Sequence, residues 1–217
     1  MTMADMHLDH VCFAAGPAGL DKTAEHLSQL LGEEFVDGGD HPRFGTRNRV
    51  LPLTHGQYLE VVEVLDHPAS DKAPFGQAVR ARSQAGGGWL AWVIAVDDIT
   101  EIESRLRRPA VPGNRHRPDG VELRWRQIGV TGLQSDPQLP FFVQWETDDK
   151  DHPSRDSTPR VTLTELEIAG DPQRVADWIG VETVDSIGDT DIRWASPNGT
   201  PGVLTASFAT ASGVVQI

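Results

Sequence analysis

Two side chains in the first third of the chain could do chemistry together: His10 in LDHVCFA (8–14) and Glu60 in QYLEVVEV (57–64). Both segments are short and apolar, as strands are, and strand side chains alternate between faces. His10 then shares a face with Leu8, Cys12 and Ala14, while Val11 and Phe13 suit a helix-packed side. Glu60 shares a face with Tyr58, Val62 and Val64, opposite Leu59 and Val61. An ionised carboxylate buried among apolar neighbours without a partner costs several kcal/mol, so Glu60 should be hydrogen-bonded, protonated with a raised pKa, or bound to a cation. His10 is the nearest candidate partner. A His and a Glu facing one space are either a buried hydrogen bond or the start of a site for Fe, Mn, Zn or Ni, which needs at least a third protein ligand.

Candidates to complete such a site lie further along. By position in the repeat described below, Trp92 matches His10, and Trp does not bind metal. Gln144 or Glu146 matches Glu60, depending on register, because a one-residue slip exchanges faces. In a third, diverged copy Glu165 takes the place of His10. GGDHPRFGTRN (38–48) crowds His41, Arg43, Thr46, Arg47 and Asn48 into one tight excursion, which reads either as a clamp for a carboxylate or carbonyl ligand or as a hairpin held by Thr46 and Asn48. NRHRPDGVELRW (114–125) is similar, with a Pro-Asp-Gly turn at 118–120. Trp89, Trp92, Trp125 and Trp145 are flat apolar walls for a ligand or ordinary core. No GxSxG, HExxH, P-loop or dinucleotide fingerprint occurs.

The elements that must position these groups repeat. LDHVCFA is followed by helical spacing at Leu20, Ala24, Leu27 and Leu31, stopped by Gly32, and then by three strands, giving βαβββ over about residues 7–65. Residues 66–88 read as a linker with at most a short helix. The order recurs over 88–147: strand WLAWVIAV (89–96), a helix capped by Asp98 and ended by Pro109, then VELRWRQI (121–128) and PFFVQWE (140–146). A polar run (147–159) separates a third, diverged copy at 160–217, with Asp171-Pro172 opening its helix. The expected fold is α+β: paired βαβββ modules within residues 1–150, their curved mixed sheets enclosing a cavity, plus a third βαβββ-like module.

Composition narrows the partners. The 217 residues carry 19 Lys and Arg against 32 Asp and Glu, a formal charge of −13. Nucleic acid and anionic membrane surfaces would be repelled. Cys12 is the only cysteine, which excludes an internal disulfide. The N-terminus lacks the pattern of a secretion signal and no apolar run spans a bilayer, so a cytoplasmic protein is expected.

On LDHVCFA, the pattern GG-x-HP-x-x-GT-x-N (38–48), YLEVVEV (58–64), RPDGVELRW (117–125) and LPFFVQWE (139–146), the chain resembles the vicinal-oxygen-chelate superfamily and, within it, the glyoxalase-like domain proteins. The resemblance implies a sheet curved around a small-molecule cavity, and a divalent metal held by the first and last strands of each module. In many relatives that metal is a Lewis acid that polarises a carbonyl and stabilises an enolate. Carried over by position, His10 and Glu60 are metal ligands with Glu146, and Glu60 is either ligand or general base. His41, Arg47, Asn48, Trp92, Trp125 and Gln144 are the expected ligand-binding residues. The expected activity is a lyase, isomerase or dioxygenase acting on a small molecule. Because Trp92 stands where a metal ligand is usual, the alternative is a non-catalytic binding or drug-sequestering protein. The third module would find its complement in a second copy of the chain, a homodimer.

Overall fold

Strand β1 (Met6–Ala14) leads into α1 (Leu20–Leu31), which buries Leu20, Ala24, Leu27 and Leu31 and ends at Gly32 in the left-handed conformation (φ 74°). Strands β2 (Val36–His41), β3 (Thr46–Pro52) and β4 (Tyr58–Val64) complete the first module. The computed structural model describes residues 6–155, 158–195 and 200–217. The Gly-rich segment is itself the β2–β3 hairpin, with His41 opposite Thr46.

Residues 66–88 are more ordered than a linker. They form α2 (Pro68–Lys72) and α3 (Pro74–Gln84), each opened by a proline in its first turn, where no amide donor is needed. The second module follows as β5 (Gly88–Val96), α4 (Ile99–Leu106), β6 (Val111–His116), β7 (Glu122–Ile128) and β8 (Phe141–Trp145). Asp98 caps α4 by accepting the Thr100 amide, and the helix ends at Arg107 (φ 53°), two residues before Pro109. Strand β6 lies in a stretch to which the sequence reading assigns no strand: its inward positions are Gly113 and Arg115, so it shows no apolar alternation.

The eight strands close into a barrel in the order β1-β4-β3-β2-β6-β7-β8-β5. β1 pairs in parallel with β4 and antiparallel with β5, so the first strands of the two modules meet. The last part of the chain forms β9 (Thr162–Ala169), α5 (Pro172–Ile179), β10 (Ser186–Ile187), β11 (Thr190–Ala195), β12 (Gly202–Thr210) and β13 (Gly213–Gln216). These strands make a separate five-stranded sheet, β10-β11-β9-β12-β13. As in the barrel, its central strand has a parallel neighbour (β11) on one side and an antiparallel one (β12) on the other.

This sheet covers the outer surface of the barrel where β1 and β5 lie. Leu8, Val11, Trp92, Ile94 and Phe142 pack in one core with Leu163, Leu166, Ile168, Ala206 and Phe208. The outward face of β1 is thus packed largely against a second sheet. A separate core fills the barrel, formed by Cys12, Val62, Ala91, Val93, Trp125, Phe141 and Val143, with Phe75, Ala78 and Val79 of α3. None of the helices is long and apolar enough among the described residues to cross a membrane.

Candidate functional site

The inner core leaves a cavity lined by His10, His41, Phe44, Tyr58, Glu60, Phe75, Arg115, Trp125, Gln127, Phe141, Val143 and Trp145, with about 450 Å³ of unfilled space, its mouth included. Most lining residues reach it from the inward faces of strands, while Phe44 comes from the β2–β3 turn and Phe75 from α3. Tyr58, Glu60 and Val62 point inward from β4, as the sequence predicts, and β8 presents Phe141, Val143 and Trp145.

Strand β1 departs from simple alternation. Its pairing with β5 steps from Leu8↔Ile94 to His10↔Val93, so Asp9 is an extra residue in a β-bulge. Before the bulge Leu8 faces the outer core; after it His10 and Cys12 face inward. The same ladder corrects the match between modules. Trp92 pairs with Val11 and is fully buried in the outer core, its indole N–H donating to the Gln138 carbonyl at 2.9 Å. The β5 residues opposite His10 and Cys12 are Val93 and Ala91.

Glu60 is 4 % exposed. Asn48 Nδ2 donates to its Oε1 at 2.6 Å, the Cys12 thiol donates to its Oε2 at 3.1 Å, and His41 Nε2 stands 3.7 Å from Oε1. Burial alone would raise its pKa, but His41, His10, Cys12 and Asn48 together hold it below the usual value. Glu60 is therefore an ionised carboxylate in an aromatic enclosure. Burial and the neighbouring Glu60 push the Cys12 thiol well up, so it is a neutral donor. His41 donates or accepts at Thr46 Oγ1 (3.0 Å), and burial, with Arg115 and His10 nearby, outweighs Glu60 and lowers its pKa to about 4.

Gly38 makes room for this arrangement: a Cβ there would lie 2.0 Å from Asn48 Oδ1. Gly39 (φ 97°) lets β2 approach β6, since a Cβ would fall 1.8 Å from the His116 carbonyl oxygen.

His10 is fixed from several sides. Its ring stacks on Tyr58 (centroids 4.3 Å, 15° between planes) and meets Phe141 edge-on. Its Nδ1 lies 2.6 Å from Asp9 Oδ2. Asp9 is fully buried, and its other oxygen accepts from Trp145 Nε1 at 3.0 Å and lies 3.1 Å from His152 Nε2. Burial would raise the Asp9 pKa, but the His10 and His152 bonds hold it far below the usual carboxylate range.

The residues expected from sequence divide accordingly. His10, His41, Glu60 and Trp125 meet in the cavity, and Asn48 braces Glu60 from behind. Trp92, Arg47, Gln144 and Glu146 do not join them. Arg47 points outward from β3 and pairs with Glu63 at 2.8 Å. Gln144 points outward from β8, where its Oε1 accepts the Ile99 amide at the start of α4. Glu146 is exposed beyond the end of β8. The other register of β8 is the one adopted, which presents Val143 and Trp145 instead.

The group that joins His10 and Glu60 is Cys12: ligand atoms of these three buried residues lie within 4.8 Å of one another. Three such donors fit the count for a divalent ion, whose binding would displace the Cys12 proton, and the resulting thiolate would suit Zn, Fe or Ni better than Mn. Alternation placed Cys12 on the face of His10 in the sequence. Arg115, Asp9 and His152 had no comparable signal, because a loop-like strand, a bulge and a polar run placed them.

Residues 8–183 match a family model described as a glyoxalase-like domain. No curated protein matches the chain. Among solved structures, a hypothetical protein from Staphylococcus aureus is similar over 97 % of this chain and 98 % of its own, at 15 % identity and TM-score 0.72, so the whole fold, five-stranded sheet included, recurs there. Methylmalonyl-CoA epimerase from Mycobacterium tuberculosis aligns with 65 % of this chain and 88 % of its own (17 % identity, TM-score 0.43). A Streptomyces coelicolor methylmalonyl-CoA epimerase variant aligns with 65 % and 98 % (15 % identity, TM-score 0.44).

Proposed function

The chain belongs to the glyoxalase-like domain family, of the vicinal-oxygen-chelate superfamily, and from that premise we propose that it is a small-molecule enzyme of lyase, isomerase or dioxygenase type working in the barrel cavity. The observation that carries the reading is Glu60: an ionised, buried carboxylate at an aromatic enclosure, facing His10 and His41. The bonds from Asn48 and Cys12 and the nearby imidazoles offset the desolvation of this anion, and buried groups with perturbed pKa in a cavity cluster at functional sites.

The rings of Phe44, Phe75, Trp125, Phe141 and Trp145 suit a small, flat, largely apolar compound, and the polar lining residues His10, His41, Glu60, Arg115 and Gln127 suit its oxygen atoms. His10, Cys12 and Glu60 would hold a divalent metal, which would supply Lewis-acid polarisation of a carbonyl or paired oxygens. Glu60 then serves as ligand or takes a proton from the carbon next to that carbonyl, while His41, neutral at pH 7, orients the oxygen. The aromatic rings keep bulk water from the reacting end.

Metal analysis of protein purified without chelator, beside His10→Ala and Glu60→Gln, tests this. Near-stoichiometric Zn, Fe or Ni in the wild type and its loss from both variants is the expected result. Wild-type protein that holds no metal, even after dialysis against zinc or cobalt, would refute the metal-assisted form. Thermal-shift screening of metabolites separates the second reading: compounds that stabilise the protein and are never consumed would mark it as a binding protein.

A further inference from the structure

We infer that Asp9, held by Trp145 and His152, is a positioning residue that fixes His10 in one tautomer, proton on Nδ1 and lone pair on Nε2. The inference rests on the cavity reading only for its consequence, since the geometry stands by itself.

The donors around Asp9 leave little freedom. Trp145 Nε1 can only donate. The Ser154 backbone amide donates to His152 Nδ1 at 3.3 Å, and the Ser154 hydroxyl, 2.8 Å from the same nitrogen, can donate there as well, so that nitrogen is an acceptor and the proton of neutral His152 sits on Nε2, facing Asp9 Oδ1. One carboxylate oxygen thus receives two N–H groups, from β8 and from the segment after it, and the other oxygen faces His10 Nδ1. A carboxylate only accepts, so His10 Nδ1 carries a proton. If His10 is neutral, its Nε2 keeps its lone pair, and stacking on Tyr58 with the edge contact to Phe141 prevents the ring from turning over. His10 is then a metal ligand or proton acceptor through Nε2 and never a neutral donor there, the arrangement in which a carboxylate orients a ligating imidazole.

Asp9→Asn is a sharp perturbation because an amide has one accepting end. Two donors, the Trp145 indole and His152, compete for its oxygen, so its NH₂ must face His10 Nδ1. That nitrogen becomes the acceptor and the proton moves to Nε2, where it blocks the lone pair.

The test is ¹H–¹⁵N spectroscopy of the chelator-treated, ¹⁵N-histidine-labelled full chain at neutral pH, with the His10 signals assigned by their loss in His10→Gln. The expected wild-type pattern is a protonated Nδ1 and bare Nε2. Asp9→Asn should reverse it and weaken cobalt binding about tenfold or more. Ser154→Ala, which keeps the backbone amide, should leave the His10 pattern unchanged. A wild-type His10 protonated on Nε2 alone, or an unchanged tautomer in a folded Asp9→Asn protein, overturns the inference; should that variant not fold, the wild-type spectrum still decides. Wild-type protein with the expected tautomer but no cobalt affinity would instead count against the metal-assisted function and leave the positioning role standing.

Discussion

His41 makes the stability of the metal-free chain depend on pH between about 4 and 6.5. In the folded barrel its pKa is lowered from 6.5 to about 4, first by burial. Between those values the unfolded chain binds a proton that the native state excludes, so stability rises with pH across the window. The contribution is fully present above about pH 6.5, falls progressively as pH drops towards 4, and loses nothing further below that. A gap of 2.5 units, 6.5 minus 4, at about 1.4 kcal/mol per unit corresponds to about 3.5 kcal/mol in full, of which about 2.5 kcal/mol is lost by pH 4.5. Glu60 and Asp9, with pKa values lowered by folding, also lose their contributions as pH falls, but at more acidic pH. Urea titrations followed by circular dichroism, in chelator, at steps from about pH 7.5 to about 4.5, would measure this beside His41→Gln. The wild type should lose about 2.5 kcal/mol more than the variant over that range. Parallel curves, differing by less than about 1 kcal/mol, would refute a neutral buried His41.

Other perturbations separate support from site. Trp92→Ala should cost about 3–5 kcal/mol in denaturant unfolding, because it empties a fully buried position in the outer core; ligand-induced thermal shifts, read well below the variant's melting point, should persist, since Trp92 does not line the cavity. Gly38→Ala places a methyl group against Asn48 and should destabilise by about 1–3 kcal/mol while abolishing metal retention, because Asn48 is pushed from Glu60; a variant retaining metal would show that Asn48 does not brace the site. Cys12 should resist a disulfide reagent at mildly alkaline pH until denaturant is added, being fully buried with its thiol pKa raised; rapid labelling of native protein would contradict that environment.

The amino-acid sequence by itself determined much of the barrel. Strand alternation is local, with a period of two, so β4 alone dictates that Tyr58, Glu60 and Val62 share a face and that Leu59 and Val61 oppose them. The helix stripes and their stops at Gly32 and Gly180 are equally local. Repetition of these patterns specified the two modules and much of the third, whose α5 begins at Pro172 under an Asp171 cap.

What only the tertiary structure decided is which residues of each strand look inward, and what comes to meet them from elsewhere. The bulge at Asp9 is visible only in the pairing of β1 with β5, and no pattern in LDHVCFA announces it. The register of β8 against β7 and β5 sent Gln144 outward and Trp145 inward, although both alternations read equally well in FFVQW. Trp92 lies under a second sheet whose strands begin only at Thr162, so its role as core was not a local property. Asp9 and His152, separated by 143 positions, meet only because the segment after β8 folds back on β1. Side-chain alternation is a property of one strand, but pairing is an agreement between two, and the site is built where those agreements put Glu60, Cys12 and His10 together.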